Sequence, residues 1–359
     1  MQVFDCKTKI ISGADALAWL DSQQCRQLML VTDPYFRENG WAEKIAGRVQ
    51  AENRTIYDQV KPDPTVEQAA EGTALMRQEK PDLLIALGGG SAMDTAKAMV
   101  YFSGEPVKFV AIPTTSGSGS EVTNFSVLTH NGAKHPLIDR RMQPDVALLS
   151  TELVEKLPPT LIADGGFDVL SHGAEAFVAT NADPISRALA LSAFAAAFAA
   201  LPASFRGDMR AREDMHLVST MAGMAFSQAG LGMCHALAHS IGGVFHVPHG
   251  RLNAILLPEV IGCNRTACAD YAKLARMAGF TGSADTICVR NLRNALVRLR
   301  RELHLPATLL EAGVSAQKLR QHRDAIIRAA LKDPCMETNP VKADAGMLGS
   351  VLEAVSGCG

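Results

Sequence analysis

The chain has 359 residues, 47% hydrophobic and 20% charged, with a formal net charge of −2. That length supports roughly two domains with substantial cores, and the composition is that of an ordinary globular enzyme. The near-neutral balance, with no long basic run, argues against nucleic acid or an anionic membrane as the main partner.

The amino end, MQVFDCKTKI, has neither an apolar core nor a small-residue cleavage site, so no secretory signal is expected. The first ~150 residues alternate short apolar strands with polar-faced helices, the pattern of a parallel sheet with crossover helices. Strands are predicted over 27–31 (QLMLV), 83–87 and 109–112, with a helix over 65–77 after the turn Pro62-Asp63-Pro64. After Pro158 the pattern becomes helical, with long alanine stretches. The longest apolar run, 188–201, falls short of the ~20 residues that span a bilayer. It is expected to be a buried helix capped by Asp183, started by Pro184 and closed by Pro202. The eight cysteines form no CxxC pair, which fits reduced thiols and a cytoplasmic location. The fold expected is α/β plus all-α: a Rossmann-like dinucleotide-binding domain over 1–157, an all-helical metal-binding and catalytic domain over 158–359, and a cleft between them.

Two glycine loops follow strands. In DLLIALGGGSAMDTAKAMV, Gly88, Gly89 and Gly90 let the backbone approach a phosphate, and the next helix offers free amides and its positive dipole end. This is not the GxGxxG fingerprint, and a plain strand-to-helix turn with a Ser91–Asp94 capping box fits equally well. The second loop, AIPTTSGSGSEVT, makes a pair suited to a pyrophosphate and two riboses. Asp33, at the end of an earlier strand, could accept from the adenosine ribose hydroxyls. Its charge would repel a 2′-phosphate and so favour NAD over NADP; the alternative is a turn-initiating Asp before Pro34.

Four of the ten histidines lie between positions 235 and 249, in HALAHSIGGVFHVPHG. Asp168 and His172 are four apart in GFDVLSHGAEAF, on one face of a helix. A carboxylate with imidazoles and no thiolate suits Fe(II), Zn(II) or a similar ion. An isolated core histidine usually has no such role, but the density here favours ligands. Spacing also nominates His235 with His239, and it does not exclude His246.

These motifs, GGGSAMDTAKA, IPTTSGSGSEVT, GFDVLSHGAEAF and HALAHSIGG…PHG, resemble in type and order those of the iron-containing (group III) alcohol dehydrogenases. The likeness runs from near residue 5 to at least Glu259 and weakens toward the carboxyl end, which is shorter and richer in arginine than expected. Within the family, the chain looks most like the propanol and ethanol dehydrogenases of catabolic microcompartments. The resemblance implies the dehydroquinate synthase-like fold of that family, with Asp168, His172, His235 and His249 as metal ligands, Fe(II) ahead of Zn(II). It places His239 facing the nicotinamide as a proton relay. It implies NAD(H) contacts at Asp33, Asp63, Gly89, Gly90, Ser91, Asp94, Thr114, Thr115, Ser118 and Lys134, and substrate contacts at Phe125 and Phe226. Lys134 reads equally well as a solvated lysine, and the two phenylalanines as ordinary core. The implied activity interconverts a short-chain aldehyde and its primary alcohol, propanal or acetaldehyde, within propanediol or ethanolamine catabolism. A homodimer or larger homo-oligomer, with microcompartment association, is also implied. The rivals are a polyol dehydrogenase of the same fold, a metal-dependent hydrolase or lyase, which leaves the glycine loops without a purpose, and a non-catalytic scaffold subunit.

Overall fold

The computed structural model describes residues 4–130 and 133–358; residues 1–3, at the start of the segment read for a leader, lie outside it. The chain divides into two compact units, Asp5–Leu157 and, joined by Phe4, Pro158 to the carboxyl end.

The first unit is built on strands β1 (Lys9–Ser12), β2 (Gln24–Val31), β3 (Gln50–Tyr57), β4 (Leu83–Gly88) and β5 (Lys108–Pro113). A hairpin of β6 (Phe125–His130) and β7 (Ala133–Ile138) precedes the last strand, β8 (Val146–Leu149). The main sheet has the order β1-β8-β5-β4-β2-β3, and all its pairs are parallel. Central strands β4 and β5 are buried along nearly their whole length, which is why they read as continuous apolar runs. Alternate residues go to opposite faces. Leu28, Leu30, Ile85, Leu87, Val110 and Ile112 form one core, while Met29, Val31, Leu84, Ala86, Phe109 and Ala111 join another.

The helices of this unit are α1 (Pro34–Glu38), α2 (Trp41–Arg48), α3 (Val66–Glu79), α4 (Gly90–Ser103) and α5 (Thr151–Val154). Thr65 caps α3, its hydroxyl accepting from Gln68 N at 3.2 Å. The α4 cap is Gly89, with no side-chain cap bond, so the Ser91–Asp94 capping box does not form.

The second unit contains no strand among the described residues. Its helices are α6 (Pro159–Val178), α7 (Pro184–Phe205), α8 (Met209–Ala229), α9 (Met233–Phe245), α10 (His249–Cys263), α11 (Cys268–Met277), α12 (Asp285–Glu302), α13 (Ala316–Lys332) and α14 (Ala345–Ser356). Helix α6 is central and buried almost all round from Ile162 onward.

Two expectations for α7 need correction. Asp183 caps it in a reciprocal box with Ser186, but Pro202 lies inside the helix, which continues to Phe205. A proline one turn from the end removes a single late amide bond, and the last turn closes by Arg206 N donating to Pro202 O at 3.3 Å. Nor is α7 buried as a whole. By length and composition it could cross a membrane, but a stripe through Ser186, Ala190, Ala193, Phe194, Ala197 and Leu201 is buried, with α6 and α8 as its main neighbours. Gly173 of α6 makes that approach: a Cβ there would stand 3.0 Å from both Ala190 O and Phe194 Cβ.

Candidate metal centre and cofactor loops

Three helices bring the ligand candidates together. Helix α6 carries Asp168 and His172 one turn apart, α9 carries His235 near its start, and α10 begins at His249. Gly250 sets the approach of α10 to α6, because a Cβ on it would overlap the carbonyl oxygen of Asp164. Arg251 then clamps Asp164 through two bonds of 2.9 and 3.2 Å.

Asp168 Oδ1 is the focus. The Nε2 atoms of His172 and His235 lie 3.7 Å from it, and that of His249 lies at 3.5 Å. Asp168, His235 and His249 offer ligand atoms all within 4.8 Å of one another. Nitrogens gathered around one carboxylate oxygen, beyond hydrogen-bond length but too close to be unrelated, are a donor set that fits a divalent ion. The His172 ring is sandwiched, 4.6 Å from His235 and 4.3 Å from Phe226. Burial pushes the Asp168 carboxyl up, but the three imidazoles outweigh it and hold the group well below the usual carboxylate range. Burial likewise pulls His235 down, yet the carboxylates of Asp168 and Glu175 beside it carry it up to about 9.

Two supporting residues were not picked out from sequence. Glu175 of α6, 2% exposed, accepts from His235 Nδ1 at 2.7 Å and from the amides of Gly232, Cys234 and His235 at 3.0, 2.7 and 3.3 Å. It thus neutralises the start of α9 and fixes the ring whose Nε2 faces Asp168. Gly232 leaves room for it, since a Cβ there would stand 2.8 Å from Glu175 Oε1. Asn253, fully buried on α10, donates Nδ2 to Asp168 Oδ1 at 2.8 Å and accepts from Cys234 Sγ at 3.5 Å. Both had a local signal: Glu175 lies three residues after His172, and Asn253 four after His249, on shared helix faces.

The remaining histidines separate. His239 stacks on His249 at 5.2 Å, but its Nδ1 is engaged by Asp333 Oδ2 at 2.8 Å. His246 is exposed, terminates α9 at φ 54° and stands outside the cluster. Phe226 is buried, 4% exposed, against His172.

In the first unit the two glycine loops meet at the carboxyl ends of neighbouring strands. A Cβ on Gly89 would lie 3.3 Å from the Thr115 side chain, and one on Gly90 3.5 Å from Ser118 Cβ. Gly88, at φ 151°, allows the turn, and Thr114 N donates to Gly88 O at 3.0 Å. Ser91 is in the first turn of α4, whose amino end supplies amides and a positive field. Asp33 lies two residues past the end of β2, the strand beside β4. It both caps α1, accepting from Phe36 N at 3.2 Å, and lies close to Gly88. Burial raises its carboxyl.

Asp63 and Lys134 are paired at 2.8 Å, with Asp63 in the left-handed region at φ 54°. Asp94 is drawn inward. It accepts from Ser120 Oγ at 3.3 Å, and burial pushes it up to about 6 against the pull of Lys97. Lys97, fully buried, donates to Ser120 Oγ, Thr123 Oγ1 and Phe125 O at 2.8, 2.8 and 3.0 Å, bracing the second loop and the start of β6. Phe125 is partly exposed there.

Comparison with known proteins adds an independent line. A model of the iron-containing alcohol dehydrogenase family matches residues 7–151, and one for the C-terminal part of the Fe-containing alcohol dehydrogenase family matches 162–355. The second match reaches far past Glu259, where the resemblance had weakened. The chain is 38% identical over 380 residues to the NADPH-dependent butanol dehydrogenase of Clostridium saccharobutylicum, covering 99% of this chain and 98% of the relative. It is equally 38% identical over 367 residues to the 1-propanol dehydrogenase PduQ of Citrobacter freundii, covering 98% and 99%. The solved structure of an iron-containing alcohol dehydrogenase from Thermococcus thioreducens superposes with a TM-score of 0.90 at 31% identity, covering 99% of this chain and all of that one.

Proposed function

The chain belongs to the iron-containing alcohol dehydrogenase family, and on that premise we propose that it interconverts a short-chain aldehyde and its primary alcohol using NAD(H) and a divalent ion, Fe(II) ahead of Zn(II). The observation that carries this reading is the approach of three imidazole Nε2 atoms to Asp168 Oδ1 within 3.5 to 3.7 Å. Asp168, His172, His235 and His249 would hold the ion. When bound, the ion supplies Lewis-acid chemistry at a carbonyl or hydroxyl oxygen, and the nicotinamide supplies or takes the hydride.

The chain's own residues do the rest. Glu175 and Asn253 keep His235 and Asp168 in register, and Phe226 and His235 hold the His172 ring between them. His239, partly exposed and outside the ligand set, exchanges the proton of the reacting oxygen with solvent. The Gly89–Ser91 and Thr114–Ser118 loops take the pyrophosphate, with Asp63, Asp94 and Lys134 arranging the same end of the sheet. Asp33 takes the adenosine ribose hydroxyls and repels a 2′-phosphate. The butanol dehydrogenase relative is NADPH-dependent, so this preference belongs to Asp33 in this chain and not to the family as a whole. Phe226 and Phe125 present apolar surface to the substrate, which suits propanal or acetaldehyde better than a polyol. The same reading carries a homo-oligomeric state and microcompartment association in propanediol or ethanolamine breakdown.

The test is NADH oxidation by protein purified without oxygen, over a panel of aldehydes and ketones. Higher kcat/KM for propanal or acetaldehyde than for glyceraldehyde or dihydroxyacetone is expected. Preference for glycerol and dihydroxyacetone would move the enzyme to the polyol class.

A further inference from the structure

A second group of close ligand-type atoms lies beside the metal cluster, on His239, Asp333 and Cys335. Burial pushes the Cys335 thiol up, so it stays protonated, and the interaction that matters is between the imidazole and the carboxylate. His239 Nδ1 lies 2.8 Å from Asp333 Oδ2, within hydrogen-bond length, across 94 residues of sequence. Asp333 ends α13 and caps the 3-10 turn Pro334–Thr338, its Oδ1 accepting from Cys335 N at 2.9 Å. One oxygen therefore holds the backbone and the other holds the histidine.

The turn is itself fastened to the start of α9, the helix that carries His239. Thr338 Oγ1 donates to Leu231 O at 2.7 Å, and Met233 N donates to Asn339 Oδ1 at 3.1 Å. Asn339 and Asn264 exchange amide bonds of 3.1 Å, and Gly230, at φ 79°, leaves the space that Thr338 fills. Asp333 is thus placed by the same contacts that place α9. Burial pushes its carboxyl up, but His239 outweighs this and brings it down to about 2, so it stays ionised and acts only as an acceptor.

We propose that Asp333 is a positioning residue for His239, holding its imidazole as the Nδ1–H tautomer and leaving Nε2 as the ring nitrogen offered to the substrate. This rests on the reading of His239 as the residue that exchanges the substrate's proton. A carboxylate with its own backbone anchor is what such a histidine needs, because a ring free to turn about χ2 would spend much of its time presenting the wrong nitrogen.

The experiment is a double-mutant cycle on the metal-loaded enzyme with Asp333→Ser, His239→Ala and the pair. Serine keeps an oxygen to cap the 3-10 turn and removes the bond to His239. Asp333→Ser should lower kcat at least ~10-fold, the scale on which carboxylate partners of functional histidines act, with metal content unchanged. On the His239→Ala background it should do nothing further, since Asp333 acts only through that ring. Asp333→Glu should recover part of the rate. A readout independent of turnover is the nitrogen-15 spectrum of His239 in metal-free protein. The native ring should show the Nδ1–H tautomer, and Asp333→Ser should shift it to Nε2–H. Losses that multiply in the double variant, or an unchanged tautomer, would overturn the role given to Asp333. A silent His239→Ala would instead overturn the proton-exchange reading on which it rests.

Discussion

Replacing Glu175 by glutamine tests whether the carboxylate behind His235 supports the metal site. Glu175 receives four donors, three amides of the α9 start and His235 Nδ1, at distances from 2.7 to 3.3 Å. A glutamine has one acceptor oxygen and turns an NH₂ group toward the remaining donors. At least one buried amide is then left unmatched, at roughly 1–3 kcal/mol. The other consequence falls on the ligand. Without the charged partner, His235 loses basicity and a fixed ring, which in comparable sites weakens metal binding ~10–100-fold, or about 1.4–2.7 kcal/mol. The assay is anaerobic chelator competition with metal quantified per chain, beside a thermal melt of the metal-free protein. Expected is a Kd raised at least ~10-fold together with a melting temperature lowered by several degrees. A lowered melt with Kd within twofold of native would refute the reasoning, leaving Glu175 as a helix anchor alone.

Gly250→Ala should drive α10 away from the Asp164 carbonyl by about 1 Å or more and displace His249 with it, so metal occupancy and kcat should both fall sharply in a protein that still folds. Full occupancy in that variant would mean the helix tilts without moving the ligand. Asp33→Gly should relax the preference for NADH over NADPH, measured as the ratio of kcat/KM values. Equal native activity with both cofactors would refute the role of Asp33. His216, buried in α8, has its pKa pulled down by burial to about 4 from an ordinary 6.5. The unfolded chain therefore binds the extra proton between pH 4 and 6.5, and stability must rise with pH across that window, by ~3 kcal/mol in total. In His216→Leu the melt should be less pH-dependent, its advantage over native growing as pH falls from 6.5 to 4; parallel curves would contradict this.

What was legible in the sequence was local. Strands β4 and β5 are buried on both faces, so they appear as unbroken apolar runs, and the glycine loops follow them directly. Asp168 and His172 share a helix face, and the dense histidines of α9 and α10 announce themselves. Pro202 shows a local rule applied too strictly, since a proline costs the last turn only one amide bond. Asp94 reads as a cofactor contact, and its bond from Ser120 Oγ and its nearness to Lys97 are contacts that no pattern within GGGSAMDTAKA displays. Asp63 and Lys134 were nominated separately, and their 2.8 Å pairing emerges only when the β6–β7 hairpin returns past the Pro-Asp-Pro turn. Asp333 had no signal at all. It reaches His239 through a turn fastened by Thr338 and Asn339, and neither end of that contact predicts the other.

The central claim, that Asp168, His172, His235 and His249 hold the ion while His239 stands outside, is tested most directly by metal content. Native protein and the variants His235→Ala, His249→Ala and His239→Ala would be purified without oxygen and analysed for metal per chain. Loss of metal is expected in the first two variants and near-native content in His239→Ala, with kcat reduced there by ~10²–10⁴-fold. An emptied site in His239→Ala, with His235→Ala still filled, would contradict it.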